Sequence, residues 1–374
     1  MVNVEPLEGP SVRLIVANCS FVGGDSAISC AFLFFFCFVR SLSAADCTFK
    51  HLSVLRGPPS VGSVKVMGGA VLVEADPLYK SRLSITNSRF VANVNTIIAD
   101  PLTGSGINGC YFERNYGLRG GVLYLQQTNF FGITSSYFYR NSPQAGGVLF
   151  TTRTSVLVRE SQFIHNGASM GGVGFLGRAA VFKDCVFKFN FASDYGGGVV
   201  YVVSSGSDAG SRFESCEISC NKAPTGGVAA SFDSLVSFTS CYIFHNQATS
   251  AIQNNKNSNI TTLPPNGGVV MSSHYPNFGS VEFSSCTVAF NSANEGDGGV
   301  AWMDGYKPSF PEAAAVMEMQ DSAFIGNSAG GASSWTQSTS SSIQTFQRSL
   351  KSLKTVANRR KEKVEKKMTP KTLV

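Results

Sequence analysis

The sequence predicts an all-β fold, a right-handed parallel β-helix, and three observations carry that expectation. First, a phrase made of a bulky apolar residue, two variable residues and Asn returns nine times, at steps of 22 to 45 residues. Most copies are closed by Gly-Gly and Val or Ala; the cleanest is Phe163-Ile164-His165-Asn166 with Gly171-Gly172-Val173. Self-similarity at a period of roughly 20–50 residues marks a solenoid, whose repeats bury their apolar faces only against neighbours. Second, charged residues make up only 14 % of the chain, while Gly (38) and Phe (29) are abundant. A helical solenoid would instead be rich in Ala, Leu, Glu and Lys. Third, the Phe column and the small Ser/Cys column of the repeat lie two residues apart, the spacing that shares one face of a strand.

Registered on the Asn, the repeats form columns. The Asn column holds Asn93, Asn115, Asn141, Asn166, Asn190, Asn221, Asn246, Asn291 and Asn327. Three positions upstream stand Phe90, Phe112, Phe138, Phe163, Phe187, Ile218, Ile243, Val288 and Phe324. Five upstream, every residue is Ser or Cys, from Ser88 and Cys110 to Cys286 and Ser322. Eight upstream the column passes from Ile85, Ile107, Ile133 and Val158 to Phe182, Phe213, Phe238, Phe283 and Met319. Each coil of about 25 residues then has three short strands. One ends at the Ser/Cys bend, one carries the Phe, and one follows Gly-Gly. Asn is expected at a bend because it tolerates left-handed backbone and can bond its counterpart one coil away. Ser/Cys is expected as a small packing position, and Gly where φ is positive or backbones approach closely. A β-propeller is the alternative, but it wants longer repeats joined by hairpins.

The repeat domain spans residues 1–334, with degenerate coils before residue 88. Asn18-Cys19-Ser20-Phe21 and Asp46-Cys47-Thr48-Phe49 match the Ser/Cys and Phe columns, with Gly24 and Leu52 in the Asn position. The apolar run Ala31–Val39 is shorter than the ~20 residues of a membrane-spanning helix. It reads either as a strand beneath an N-terminal cap or as a signal-peptide core. Residues 247–266 break the rhythm and read as a lateral insertion, a frequent place for binding surfaces.

Residues 335–374 form a basic tail with ten Lys and Arg against Glu362 and Glu365, read as a helical cap or a disordered segment. Without it the body holds 20 basic and 22 acidic side chains, so the overall +6 belongs to the tail. No nucleic-acid partner is expected of such a body.

Chemistry-bearing motifs are sparse. Seven of the ten cysteines fall in the Ser/Cys column. They read as a buried small-residue ladder, or as disulfide partners across coils at Cys185, Cys216 and Cys241. The CxxC spacing of a zinc site is missing. His165 and His245 share the variable column before the Asn, three coils apart, too far to share a metal. The carboxylates Asp194, Glu295, Asp297 and Asp304 do not converge, so neither catalytic residues nor a cofactor are assigned. Asn18 and Asn259 head candidate glycosylation triplets.

The paired phrases Phe-x-x-Asn and Gly-Gly-Ala/Val, registered over about residues 88–332 and weakly over 18–87, resemble the repeat of the chlamydial polymorphic outer membrane proteins. Similar repeats occur in surface proteins of protozoa and algae. The resemblance implies a pectin-lyase-like β-helix displayed at a cell surface for adhesion. The expected function is therefore a non-enzymatic, secreted or cell-surface binding scaffold for glycans or surface proteins, monomeric. Membrane attachment is expected only through segments beyond this chain, or weakly through the tail. A polysaccharide lyase or hydrolase is the first alternative, and a structural spacer of an envelope or wall the second.

Overall fold

The computed structural model describes residues 2–7, 11–26, 33–35, 39–54, 71–74, 82–94, 97–100, 104–128, 130–203, 210–232, 234–249, 267–274, 280–294, 298–305 and 316–330. Asn259, Glu295, Asp297, nearly all of the 247–266 insertion and the 335–374 tail lie outside them. Among the described residues every regular element is a strand.

The coil around Asn166 shows how sequence becomes structure. Ser155–Arg159 runs in a first sheet, the chain bends at Glu160, and Gln162–Ile164 continues in a second. A further bend at His165 leads into a two-residue ribbon, Gly167–Ala168. After Gly171-Gly172 the chain enters a third sheet as Gly174–Leu176, and Ala180–Lys183 opens the next coil in the first sheet. Among the described residues the three sheets hold twelve, eleven and ten strands, and the ribbon holds six. Every neighbouring pair is parallel except the first, where Val2–Leu7 runs antiparallel to Ser11–Ala17. Stacked parallel sheets wound this way are a right-handed parallel β-helix, and they exclude the antiparallel blades of a propeller. The ribbon is an addition to the three strands read from the sequence. Leu33–Phe35, within the early apolar run, is the first strand of the third sheet.

The columns stack in register. Phe49 faces Phe90, Phe90 faces Phe112, and Phe138 faces Phe163. Their rings lie 4.6–5.0 Å apart and within 11° of parallel through Phe187. Each fully buried Phe removes apolar area worth roughly 1.5–3 kcal/mol. Beyond Phe187 the second sheet turns to Ile218, Ile243 and Val288 while the first takes up Phe213, Phe238 and Phe283, again about 5.1 Å apart. The coil holding both Phe182 and Phe187 hands one stack to the other through edge-to-face contacts at 84° and 78°. The core cross-section takes about one ring per coil, and this exchange between walls conserves its volume.

The Asn column forms a second, polar ladder. Each Asn Oδ1 accepts both the backbone N–H and the Nδ2 of the Asn one coil earlier, as Asn190 does from Asn166 at 3.0 and 3.1 Å. The chain of bonds runs unbroken from Asn93 to Asn327, and each Nδ2 also reaches the carbonyl of the preceding coil's Phe-column residue. The Asn itself is not the left-handed residue, as the sequence reading held. Positive φ falls one residue earlier, at Ala92, Arg114, Arg140, His165, Phe189, Cys220, His245, Phe290 and Gly326.

The Ser/Cys column also does more than pack. Ser88 Oγ donates to Thr86 O at 2.8 Å and accepts Cys47 N–H at 3.1 Å. Ser161 repeats this with Arg159 O and Ser136 N–H. Thr154 does the same at the third bend, donating to Thr152 O and accepting Thr128 N–H. Cysteine substitutes because S–H also donates and accepts, though weakly: Cys286 Sγ donates to Ser284 O and accepts Cys241 N–H.

At the Gly pair the two residues have different duties. Gly171 has φ of +62°, and a Cβ on Gly172 would collide with the backbone of Gly198 and Phe191. Two hydroxyls break the accounting: Ser211 and Ser272 face the core, and both Oγ atoms are buried without a partner.

Removing an unpartnered buried hydroxyl sheds a desolvation cost, whereas removing a ladder side chain strands several groups. Ser272→Ala is therefore expected to leave the thermal midpoint unchanged or raise it. Asn190→Ala strands the Asn166 N–H and amide and the Phe163 carbonyl, and is expected to cost at least ~3 kcal/mol. Denaturation of the two variants side by side checks the contrast; equal destabilisation would refute it.

Candidate functional site

The bends of the coil differ in what they ask of their left-handed residues. At the first bend these are Asn18, Asp46, Asn87, Gly109, Ser135, Glu160, Asp184, Ser215, Ser240, Ser285 and Asp321, all with φ near +50 to +64°. Gly, Asn and Asp are the residues that visit this region at least cost. The second bend needs the same φ and, between the small residues Ala92 and Gly326, uses Arg114, Arg140, His165, Phe189, Cys220, His245 and Phe290. A bulky side chain in left-handed backbone is a conformational outlier. Strain of this kind, at ~1–2 kcal/mol per residue, persists where something else maintains it.

These side chains point outward and stack along the axis. His165 lies on Phe189 at 4.9 Å and 11°, and His245 on Phe290 at 5.5 Å and 17°. The Arg140 guanidinium sits 4.9 Å above the Tyr139 ring, and that of Arg89 5.0 Å above Tyr111. Tyr111 in turn stacks on Tyr137 at 5.4 Å. The adjoining ribbon carries Phe191, whose ring covers the space left by the missing side chain of Gly167. Tyr116, Phe189, Phe191 and Tyr195 are 51, 48, 44 and 52 % exposed, a concentration of large apolar surface at one bend.

The charges of this corner are mostly basic. Glu113 is tied to Arg89 and Arg114 at 3.5 and 3.7 Å, and its carboxylate also accepts the Tyr111 hydroxyl. Burial, with the Glu113 charge second, pushes Tyr111 up to about 12, so the phenol stays protonated as a donor. Glu217 is held by Lys188 at 2.7 Å.

The remaining sequence candidates are scattered. His165 and His245 are both exposed on this row, with Phe189 and Cys220 between them. Asp194 is exposed beyond the ribbon, and Asp304 lies in the third-sheet strand Ala301–Gly305. Among the described residues, no group of three or more His, Cys, Asp or Glu is arranged to hold a metal ion. Asn18 stands exposed at a first bend, within reach of solvent.

The eight described cysteines are free thiols. Cys185, Cys216, Cys241 and Cys286 occupy one column in four successive coils, each at most 3 % exposed. Burial pushes Cys110 up to about 12 and Cys216 well above the ordinary thiol value. Reaction requires thiolate and access; burial denies access at all of these positions and disfavours thiolate at Cys110 and Cys216. Cys220 is different, half-buried on the outer row beside Lys188, whose charge opposes the upward push of its partial burial.

Comparison of the chain with protein-family models, curated proteins and solved structures returned no match. The class is accordingly set by the architecture alone: a right-handed parallel β-helix with an aromatic and basic second bend.

Iodoacetamide at pH 8 is expected to label Cys220 in the folded protein, leaving Cys185, Cys216, Cys241 and Cys286 unmodified until denaturant is added. Peptide mass mapping reads the order. Labelling of the four core positions at the rate of Cys220 would contradict the insulated ladder.

Proposed function

We propose that this protein is a non-enzymatic binding scaffold of a cell surface or the extracellular space, engaging glycans or surface proteins through the second bend and the outer face of the second sheet. The observation that carries this reading is the choice of residues at the strained positions. Where the same φ carries only a structural duty, at the first bend, the chain uses mainly Asn, Asp, Ser and Gly. At the second bend it accepts the strain and displays Arg, His and Phe in four successive coils from Arg114 to Phe189 and, past Cys220, at His245 and Phe290. Exposed aromatic and Arg side chains concentrated on a rigid frame are the material of recognition surfaces. A spacer would have no use for such a row.

The repeat signature supports the same reading. Its similarity to the chlamydial polymorphic outer membrane proteins extends the proposal to adhesion and surface display, with the lateral insertion 247–266 as a second candidate contact. A carbohydrate-active enzyme is the less supported alternative, since the acidic side chains of the corner are engaged by Arg and Lys rather than paired with each other.

The strain makes this reading testable by a trade-off. Arg140→Gly relieves left-handed backbone worth ~1–2 kcal/mol and loses a surface cation–π contact worth ~0.5–1 kcal/mol. Its stability is expected to equal or exceed that of the parent chain. Binding of the full chain to glycan arrays and to intact cell surfaces is expected to fall in Arg140→Gly, and further in Phe189→Ser combined with Phe191→Ser. Unaltered binding in all of these variants, or release of product from pectin or alginate by the parent chain, would overturn the proposal.

A further inference from the structure

Resting on the reading of the second bend as a binding surface, we infer that its ligand is an acidic polysaccharide, lying along the solenoid axis across the coils from Arg114 to Lys222. Four observations lead there. First, Arg114, Arg140 and His165 occupy the same outward position in three successive coils, each donating its backbone N–H to the next coil. Second, Lys222 stands exposed on the ribbon directly beside Phe191. Third, the acids of this corner do not cancel these cations. Glu113 is shared by Arg89 and Arg114, and Glu217 is held by Lys188. Asp194, exposed beyond the ribbon, is the one further carboxylate there among the described residues. Among those residues no salt bridge engages Arg140 or Lys222. Fourth, the exposed rings of Phe189 and Phe191 flank the same row.

The geometry favours a polysaccharide over an acidic peptide. The ribbon strands Phe191–Ala192 and Lys222–Ala223 are flanked on both sides, and Gly167–Ala168, first in the ribbon, bonds the preceding coil through Gly167 N–H to Asn141 O, so this corner offers no free edge for strand addition. What it offers is a cation or a ring per coil, advancing by ~4.8 Å. An extended polysaccharide advances one sugar ring over a comparable distance. Its carboxylate or sulfate groups can then meet successive cations while the apolar faces of its sugars lie against the Phe rings. Such contacts are long-range and exposed, so they weaken with salt.

Titration of the full chain with heparin and polygalacturonate as sulfated and carboxylated probes, dextran as a neutral one and polyaspartate as an acidic polypeptide tests the assignment. The acidic polysaccharides are expected to bind and dextran not. Arg140→Gln with Lys222→Gln is expected to weaken that binding by about tenfold or more, as is raising the salt from about 50 to about 500 mM. Lys183→Gln, a first-sheet control facing Glu214, is expected to leave it unchanged. Binding of dextran that the double variant preserves would overturn the acidic class while leaving the binding scaffold standing. Retention of polyaspartate alone would move the partner to proteins and overturn the assignment. Equal loss in Lys183→Gln would reduce the effect to overall charge and overturn the site.

Discussion

Every coil of this solenoid depends on one small problem of hydrogen bonding. A left-handed residue turns the chain sharply, and the N–H of the residue after it has no strand carbonyl to meet. A buried amide left this way costs about 1–3 kcal/mol, and the chain has two or three such bends per coil. Its recurring solution is that the side chain at the matching position of the next coil accepts the bond. Asn does this at the second bend, Ser or Cys at the first, and Thr where the third sheet returns to the first. The acceptor must also donate, because its own proton has to find a carbonyl in the surroundings. That double requirement, rather than size, limits the columns to these residue types.

The arrangement makes neighbouring coils interdependent. An Asn side chain bonds the carbonyl of the coil before and the amide of the coil after, so it spans three coils. The aromatic stack has the same reach, and it can change walls at Phe182 and Phe187 because packing asks for filled cross-section rather than for a ring at a given column. The polar ladders have no such latitude. Eight of the nine Asn are fully buried, and from residue 88 on every registered coil keeps its Asn, while the degenerate coils before it hold Gly24 and Leu52 in that position. Directional bonds fix identity where apolar packing fixes only volume.

This difference explains what could be read from the sequence. The coil, its register and its bends were legible because polar ladders write invariant letters at a regular interval. The duty of the Ser/Cys column was not, since smallness and hydrogen bonding select the same residues, and only the paired distances around Ser88 and Ser161 separate them. The left-handed residue was misplaced by one because Asn is both a left-handed residue and an acceptor, and here it serves only as acceptor. The outward row was legible as a variable column but not as a strained one. Strain became visible when Arg140 and His165 were found to share the φ of Asn87 and Asp184.

A repeat that specifies its own stacking leaves little room for individuality, so the positions it does not specify carry the information. The outward column before each Asn is such a position, but it is not neutral ground. Its backbone penalises bulky side chains relative to Gly or Asn, so drift without a use would favour the small residues seen at the first bend. Stacking of His165 on Phe189 recovers part of that cost, yet it cannot account for Arg114 and Arg140, whose charged ends remain exposed. The Arg114–Glu113 ion pair and the Arg140–Tyr139 cation–π contact are exposed and offset only part of the cost that a smaller residue would avoid. The part of the cost left over is the physical case for proposing a ligand on this side of the solenoid.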